Sequence, residues 1–456
     1  MATIQTKSAP GTARCEGPST RDIILKDEHK APGVITEESY HYLGDEDVDY
    51  AAYYSEEVHR LEMDKMWPET WLFACREEHI PNPKDSHVFD VGDYSALIIR
   101  QSDGSIKAFI NSCKHRGMQL QENGTSDSLK VIRCPFHGWT WGTDGKLMSI
   151  PCAWDFPHVD NAEYALDEIA VDIWGGFVFV NFSSSAPPLM DYLDVLPRQF
   201  AGWPMQNRHL VLHIQKTLPA NWKMAQEAFL EAYHVLATHP QGLASAGDAN
   251  AQYDIWGDHI SRFVHTIGTR SPHLKGEGSE AEILKALGGD DLGLSLKNGD
   301  TARSVFSEHL RSTLGEAMGV DLSGVSTSEM IDSIEYHCFP NFMIFPGISL
   351  PMVYRFRPDG DNVDQSIFDL MFLSLTPEGT TPPKAPEPVK IGIETSYTEV
   401  EGMNPRLGNI YDQDTSNLAR LTKGIKASRK KGQTLGNYQE VRIRQVRQTL
   451  DKYLSA

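Results

Sequence analysis

The chain has 456 residues, 40% hydrophobic and 23% charged, which is enough apolar material for a large buried core and too much for a disordered chain. Its 42 basic and 62 acidic side chains leave a net charge of −20, arguing against nucleic-acid binding, which needs a surplus of Lys and Arg to neutralise phosphates. No apolar run approaches the roughly 18–20 residues that cross a bilayer, and the N-terminus lacks the apolar stretch of a secretory signal, so the expectation is a cytoplasmic protein without a membrane partner.

In chain order, residues 1–35 are rich in Gly, Pro, Ser, Thr and Lys without an apolar period, and 1–44 is expected to be a flexible arm. Tyr54, Val58, Leu61 and Met66 are spaced roughly as on a helix, which Pro68 ends. From Trp71 to Asn181, short runs rich in Val, Ile and Phe alternate with turn signals such as Asp103-Gly104 and Asp144-Gly145. That pattern predicts a small antiparallel β unit at about 69–182. Residues 183–188 then read as an exit linker. Beyond it come a strand near His209–Gln215, a helix over Trp222–Thr238, and a Gly-rich acidic excursion at 269–300 that reads as a surface lid. Strands are expected at 335–356 and 366–376, with helices at 414–428 and 437–454.

Six cysteines in this length do not make a disulfide scaffold. Cys15, Cys75, Cys152 and Cys338 read as small buried hydrophobes or inert thiols. Cys113 and Cys134 differ, because each has a histidine two or three residues on: His115 and His137. Two thiolates and two imidazoles fit either a tetrahedral zinc site or a Rieske [2Fe–2S] centre, in which the thiolates hold one iron and the imidazoles the other. Mixing one Cys with one His in each loop suits the cluster, since each loop then supplies one ligand to each iron. Gly117 and Gly138 would let the backbone turn tightly beside the sulfides.

The run Cys113-Lys114-His115-Arg116-Gly117, followed after 18 residues from His115 by Cys134-Pro135-Phe136-His137-Gly138-Trp139, resembles the Rieske signature of the large (α) subunit of aromatic-ring-hydroxylating oxygenases. The spacing is a little longer than is usual in that family, which implies a small loop extension.

A second constellation lies at 221–240. His234 and His239 are five apart, and Pro240 biases His239 towards an extended conformation, so a helix can end there and let both imidazoles converge. A non-haem iron site needs one further carboxylate and open positions for O2 and substrate. Asn221-Trp222-Lys223, then an acid, then Tyr233-His234 and His239, resembles the mononuclear-iron segment of the same family. The resemblance implies that Glu231, standing where the family has Asp, bridges His234 to a cluster histidine of the neighbouring subunit. It implies a third iron ligand at a late helix, with the Gln413-Asp414 pair and Asn417 favouring Asp414 over Asp412. A competing account has both acids merely complementing the positive end of a helix dipole.

The resemblance covers residues 45–456. It implies an α+β protein in which the Rieske domain (69–182) is inserted into a helix-grip catalytic domain (45–68 and 183–456). The implied activity is that of the terminal oxygenase of a multicomponent system, with electrons from NAD(P)H arriving through a reductase, with or without a ferredoxin, at a [2Fe–2S] cluster and then at Fe(II). The implied reaction is cis-dihydroxylation of an aromatic or polycyclic substrate, in a head-to-tail homotrimer with or without a small β subunit. Monooxygenation or oxidative demethylation is the alternative within the class, and an electron carrier or zinc-stabilised binding protein the alternative outside it. Lys114 and Arg116 read equally as a docking spot for an acidic carrier and as ordinary structural or solvated charges. Trp139, Trp141 and Trp174 read as core, and His209, His213, His265 and His337 as core or surface histidines, with His213 and His337 placed to approach the active site on strands.

Overall fold

Two large sheets and a ring of helices carry the chain, and the computed structural model describes residues 8–456 other than Asn123 and Glu277. The first sheet is antiparallel and seven-stranded. Edge to edge it runs Leu72–Arg76, Phe177–Asn181, Glu168–Trp174, Ile106–Ile110, Tyr94–Arg100, Ser86–Val91, Gly124–Ser126. Its strands form where the sequence runs rich in Val, Ile and Phe, and its turns where Asp and Gly interrupt; the Asp103 carboxylate, for example, accepts the Ser105 N–H across one turn at 3.0 Å. A small three-stranded sheet, Ile132–Arg133, Thr140–Trp141 and Leu147–Ser149, packs beside it around Leu97, Phe109, Trp139 and Trp141.

The edge strand Leu72–Arg76 and its neighbour Phe177–Asn181 are buried at every position. An exposed edge invites pairing with other chains, and here the second sheet covers it. Phe73 donates its backbone N–H to Asn341 Oδ1 at 3.0 Å, and its ring packs on Phe342 at 5.1 Å. That second sheet has eight strands in the order Gln252–Trp256, Ile260–His265, Ser333–Cys338, Phe342–Ile344, Met352–Asp359, Asn362–Leu375, Arg208–Leu218, Val389–Ile391, antiparallel except for the last pair. Helices from both ends of the chain close over it. Trp67, ahead of the first sheet, meets Trp222 edge-on at 5.0 Å, and Lys65 Nζ donates to the Leu454 carbonyl at 3.1 Å. The first sheet therefore sits between two parts of a single α+β unit.

Several expectations need correction. Residues 8–44 are docked: Ser19 caps the helix Thr20–Ile24, Ile24 and Ile35 are fully buried, and Asp27 pairs with Arg303 at 2.6 Å. Two well-placed isoleucines and one buried ion pair anchor a segment whose composition shows no period; residues 1–7 lie outside the described residues. The helix expected over 222–238 is broken into Trp222–Glu227 and Val235–Thr238, because both histidines of that segment must turn to one point. The excursion at 269–300 contains a helix, Glu280–Ala286, whose Ile283 and Leu284, with Leu287 just past its end, bury against Ala302. The strands at 335–356 are Ser333–Cys338, Phe342–Ile344 and the start of Met352–Asp359, and the late helices are Pro405–Ser416, Leu418–Ala427 and Val441–Ser455.

Candidate active site

The two Cys–His loops have the same backbone design. The Gly117 N–H bonds the Cys113 carbonyl at 2.9 Å, and the Gly138 N–H bonds that of Cys134 at 3.0 Å. Both glycines have φ +75°, a conformation that other residues adopt only with strain. The Cys113 and Cys134 N–H groups close the loops on the Met118 and Trp139 carbonyls, each at 2.8 Å. Both sulfurs are buried. Burial alone would push the Cys134 thiol up; the His137 and Phe136 backbone N–H groups and the Cys113 thiol hold it below the ordinary range. The rings of His115 and His137 lie side by side at 4.7 Å, and Trp139 stacks parallel to His115 at 5.1 Å. His115 Nδ1 is buried with no partner, which leaves one imidazole nitrogen facing inwards and unsatisfied. Two thiols surrounded by N–H donors, two adjacent imidazoles and one orphaned ring nitrogen suit an iron–sulfur cluster. By contrast, Cys75 is pushed up to about 12 by burial, and Cys338 is raised for the same reason.

At the other centre, His234, His239 and Asp414 bring one ligand atom each to within 4.8 Å of one another. Asp414 Oδ1 is 2.6 Å from His239 Nε2 and 3.4 Å from His234 Nε2. Each imidazole is held from behind. His234 Nδ1 donates to Glu231 Oε1 at 2.8 Å, and the His234 backbone N–H donates to Glu231 Oε2 at 3.0 Å. His239 Nδ1 donates to Gln413 Oε1 at 2.8 Å. Fixing the Nδ1 protons in this way turns both Nε2 lone pairs towards Asp414, the arrangement found behind metal-binding histidines. Burial opposes charge on His234, but Asp414 and Glu231 outweigh it and raise the imidazole to about 10.

The break in the iron segment gives Glu231 its reach, since it lies in the turn between the two short helices. His239 ends the second of them with φ −124° and ψ 52°, outside the helical region that Pro240 disfavours for the residue before it. Asp414 sits near the C-terminal end of Pro405–Ser416, a helix capped at Asn404, and not in a first turn as expected. The helix dipole therefore does not explain it; carboxylates at that end are disfavoured, and the two histidines are what it meets. Asp412 is occupied elsewhere, accepting the Tyr397 N–H at 3.0 Å and a bond from the Ser396 hydroxyl.

The three groups open on a cavity of 510 Å³, within the usual range for small-molecule sites. Phe229, Phe263, Phe306, Leu310, Phe345 and Leu350 supply much of its wall. Ala286 and Leu287, from the excursion at 269–300, close part of it, and the Leu287 carbonyl is held by Arg406 at 3.1 Å. His213 does not reach this cavity: it pairs with Asp369 at 2.9 Å beside the first sheet. His337 is buried among the strands. His265 does line the cavity, and sequence reasoning passed it over; its only signal was the alternation with Phe263 along one strand. Gln413 was missed as a partner of His239, because nothing local marks a residue that acts across 174 positions.

Known proteins match both parts of the chain. Residues 70–160 match the Rieske [2Fe-2S] domain, and residues 200–456, more than half of the chain, match the ring hydroxylating alpha subunit (catalytic domain). The chain is 32% identical over 236 residues to chlorobenzene dioxygenase subunit alpha of Cupriavidus sp. (strain PS12), covering 46% of this chain and 51% of that protein. It is 35% identical over 202 residues to the large oxygenase component of the naphthalene 1,2-dioxygenase system of Pseudomonas putida, covering 42% and 44%. The chain thus spans about half the length of the curated relatives it matches. The crystal structure of the quaternary ammonium Rieske monooxygenase CntA with L-carnitine shares the fold, with a TM-score of 0.62 at 17% identity over 89% of this chain and 95% of that one. With a Rieske domain ahead of the matching catalytic domain, the chain belongs to the ring-hydroxylating alpha subunit family.

Proposed function

We propose that the chain is the terminal oxygenase of a multicomponent system that adds oxygen to an aromatic or polycyclic substrate, with cis-dihydroxylation as the leading outcome. Cys113 and Cys134 hold one iron of a [2Fe–2S] cluster, and His115 and His137 hold the other. His234, His239 and Asp414 hold Fe(II), which supplies the O2 activation. Electrons come from NAD(P)H through a reductase, with or without a ferredoxin, in the cytoplasm. The observation that carries this reading is the apolar cavity of 510 Å³ opening directly on the three ligand groups.

The chain's own residues have distinct tasks in it. Glu231 and Gln413 hold the imidazole protons on Nδ1. The phenylalanines and leucines of the wall exclude water and orient a flat ring. Glu335 is engaged with Arg442 at 2.7 Å and Glu231 with His234 at 2.8 Å, so neither carboxylate is free to pair with a cationic substrate. Glu231 also lines a second pocket together with Glu227 and Glu440. Tyr233 is 54% and Leu421 48% exposed, and beside the cluster loops Phe136 is 57% and Trp154 81% exposed. Such apolar exposure supports a head-to-tail trimer, with the cluster of one subunit docked beside Glu231 of the next.

Metal analysis should give about three irons and two sulfides per chain, and ¹⁸O₂ turnover with a surrogate reductase on a panel of arenes should give diols carrying two labelled oxygens. One labelled oxygen would move the assignment to monooxygenation. Two irons per chain with no turnover, or zinc without sulfide, would overturn it.

A further inference from the structure

Most polar groups on the cavity wall are already committed. Glu335 is paired with Arg442, Asn404 Oδ1 caps its helix by accepting the Arg406 and Leu407 N–H groups, and Arg406 faces the Leu287 carbonyl and Asp291. His265 is different. It ends the strand Ile260–His265, and directly opposite it on the neighbouring strand stands Ser333. Both line the cavity. Residues facing each other across antiparallel strands point to the same side with Cβ atoms about 4.5–5.5 Å apart, so the imidazole and the hydroxyl form one patch. Phe263, Ile267, Phe306 and Leu310 surround the patch with apolar wall.

The buried Nε2 of His265 has no hydrogen-bond partner, a rare state for a buried ring nitrogen. Burial pushes the imidazole down to about 4; Asp248 and Asp332 oppose that, while His234 and His239 add to it. The ring is thus neutral at pH 7, with one donor and one acceptor nitrogen. A neutral imidazole beside a hydroxyl suits an uncharged oxygen substituent and offers nothing to pair with an ionic one.

We infer that His265 and Ser333 form a polar subsite in the cavity that binds a hydroxyl or carbonyl oxygen of an otherwise apolar ring substrate and so selects which carbons face the iron ligands. This rests on the aromatic-substrate reading above. The test is equilibrium binding of naphthalene and 2-naphthol to the holoenzyme, followed by product analysis. The native enzyme should prefer 2-naphthol by about two- to tenfold, the worth of one neutral hydrogen bond. In His265→Leu the ratio of the two Kd values should fall to about one and the position of oxygenation on 2-naphthol should scatter, with His265→Asn restoring part of both. Ser333→Ala should lower the ratio partially, and it carries the test alone if His265→Leu fails to fold by melting and cluster absorption. An unchanged ratio in the folded variants, or equal binding of both ligands by the native enzyme, overturns the subsite and leaves the aromatic-substrate reading standing. Binding of neither ligand overturns both.

Discussion

Replacing Gln413 with leucine tests how the iron site is held without touching a ligand. The Gln413 amide accepts from His239 Nδ1 at 2.8 Å and from Gln241 Nε2 at 2.7 Å, so its oxygen faces both donors. Leucine removes the acceptor, leaves the Nδ1 proton unpaired in a mostly buried place, and frees the ring to rotate or to change tautomer. Either change turns the Nε2 lone pair away from Asp414. Loss of such a supporting bond lowers metal affinity or activity by about 10- to 100-fold, or about 1.4–2.7 kcal/mol. The assay is Fe(II) binding to protein with an intact cluster but an empty mononuclear site, in competition with a chromogenic chelator. Gln413→Leu should weaken Fe(II) by that factor, while Gln413→Glu, which keeps an acceptor and adds charge, should bind at least as tightly as the native protein. Native-like Fe(II) affinity in the leucine variant would refute the view that this bond orients His239.

Other outcomes follow from the same geometry. Glu231→Gln keeps a side chain of the same length but removes the carboxylate charge that faces His234 Nδ1; both metals should stay bound while cluster oxidation in a single turnover uncouples from product formation, and normal product yield would exclude a bridging role. Cys134→Ser should abolish the visible absorption and sulfide content of the cluster while the catalytic domain still binds Fe(II). Arg442→Met strands the buried Glu335 and should cost about 3–5 kcal/mol in denaturant unfolding, with Glu335→Leu in the same chain recovering most of it. Acid should also destabilise the fold through His337, whose burial lowers its imidazole to about 3. The unfolded chain binds more protons between that value and about 6.5, so stability falls as pH drops through this window, by about 2 kcal/mol at pH 5 from this group alone. His337→Met should flatten that part of the stability–pH curve, and an unchanged curve would show that His337 is protonated without cost.

The amino-acid sequence by itself was enough to single out the two Cys–His loops and the pair His234 and His239, because candidate ligands that share a loop or a short helix lie close in the chain. It was also enough for the β character of the first unit, since short runs rich in Val, Ile and Phe between turn residues are a local property. What reads through contacts between distant segments was out of its reach. The docking of residues 8–44 hangs on Ile24, Ile35 and the Asp27–Arg303 pair, which join positions 276 apart. The iron segment reads as one helix by composition, yet convergence on Asp414 breaks it. The dipole account of Asp412 and Asp414 assumed a helix starting there; the actual start at Pro405 reverses its sign and makes the histidines the reason for Asp414. His265 became a cavity residue only when its strand was registered against Ser333. A periodic pattern is set by one segment's own geometry, whereas a cavity wall is set by which segments meet, and only the tertiary structure decides that.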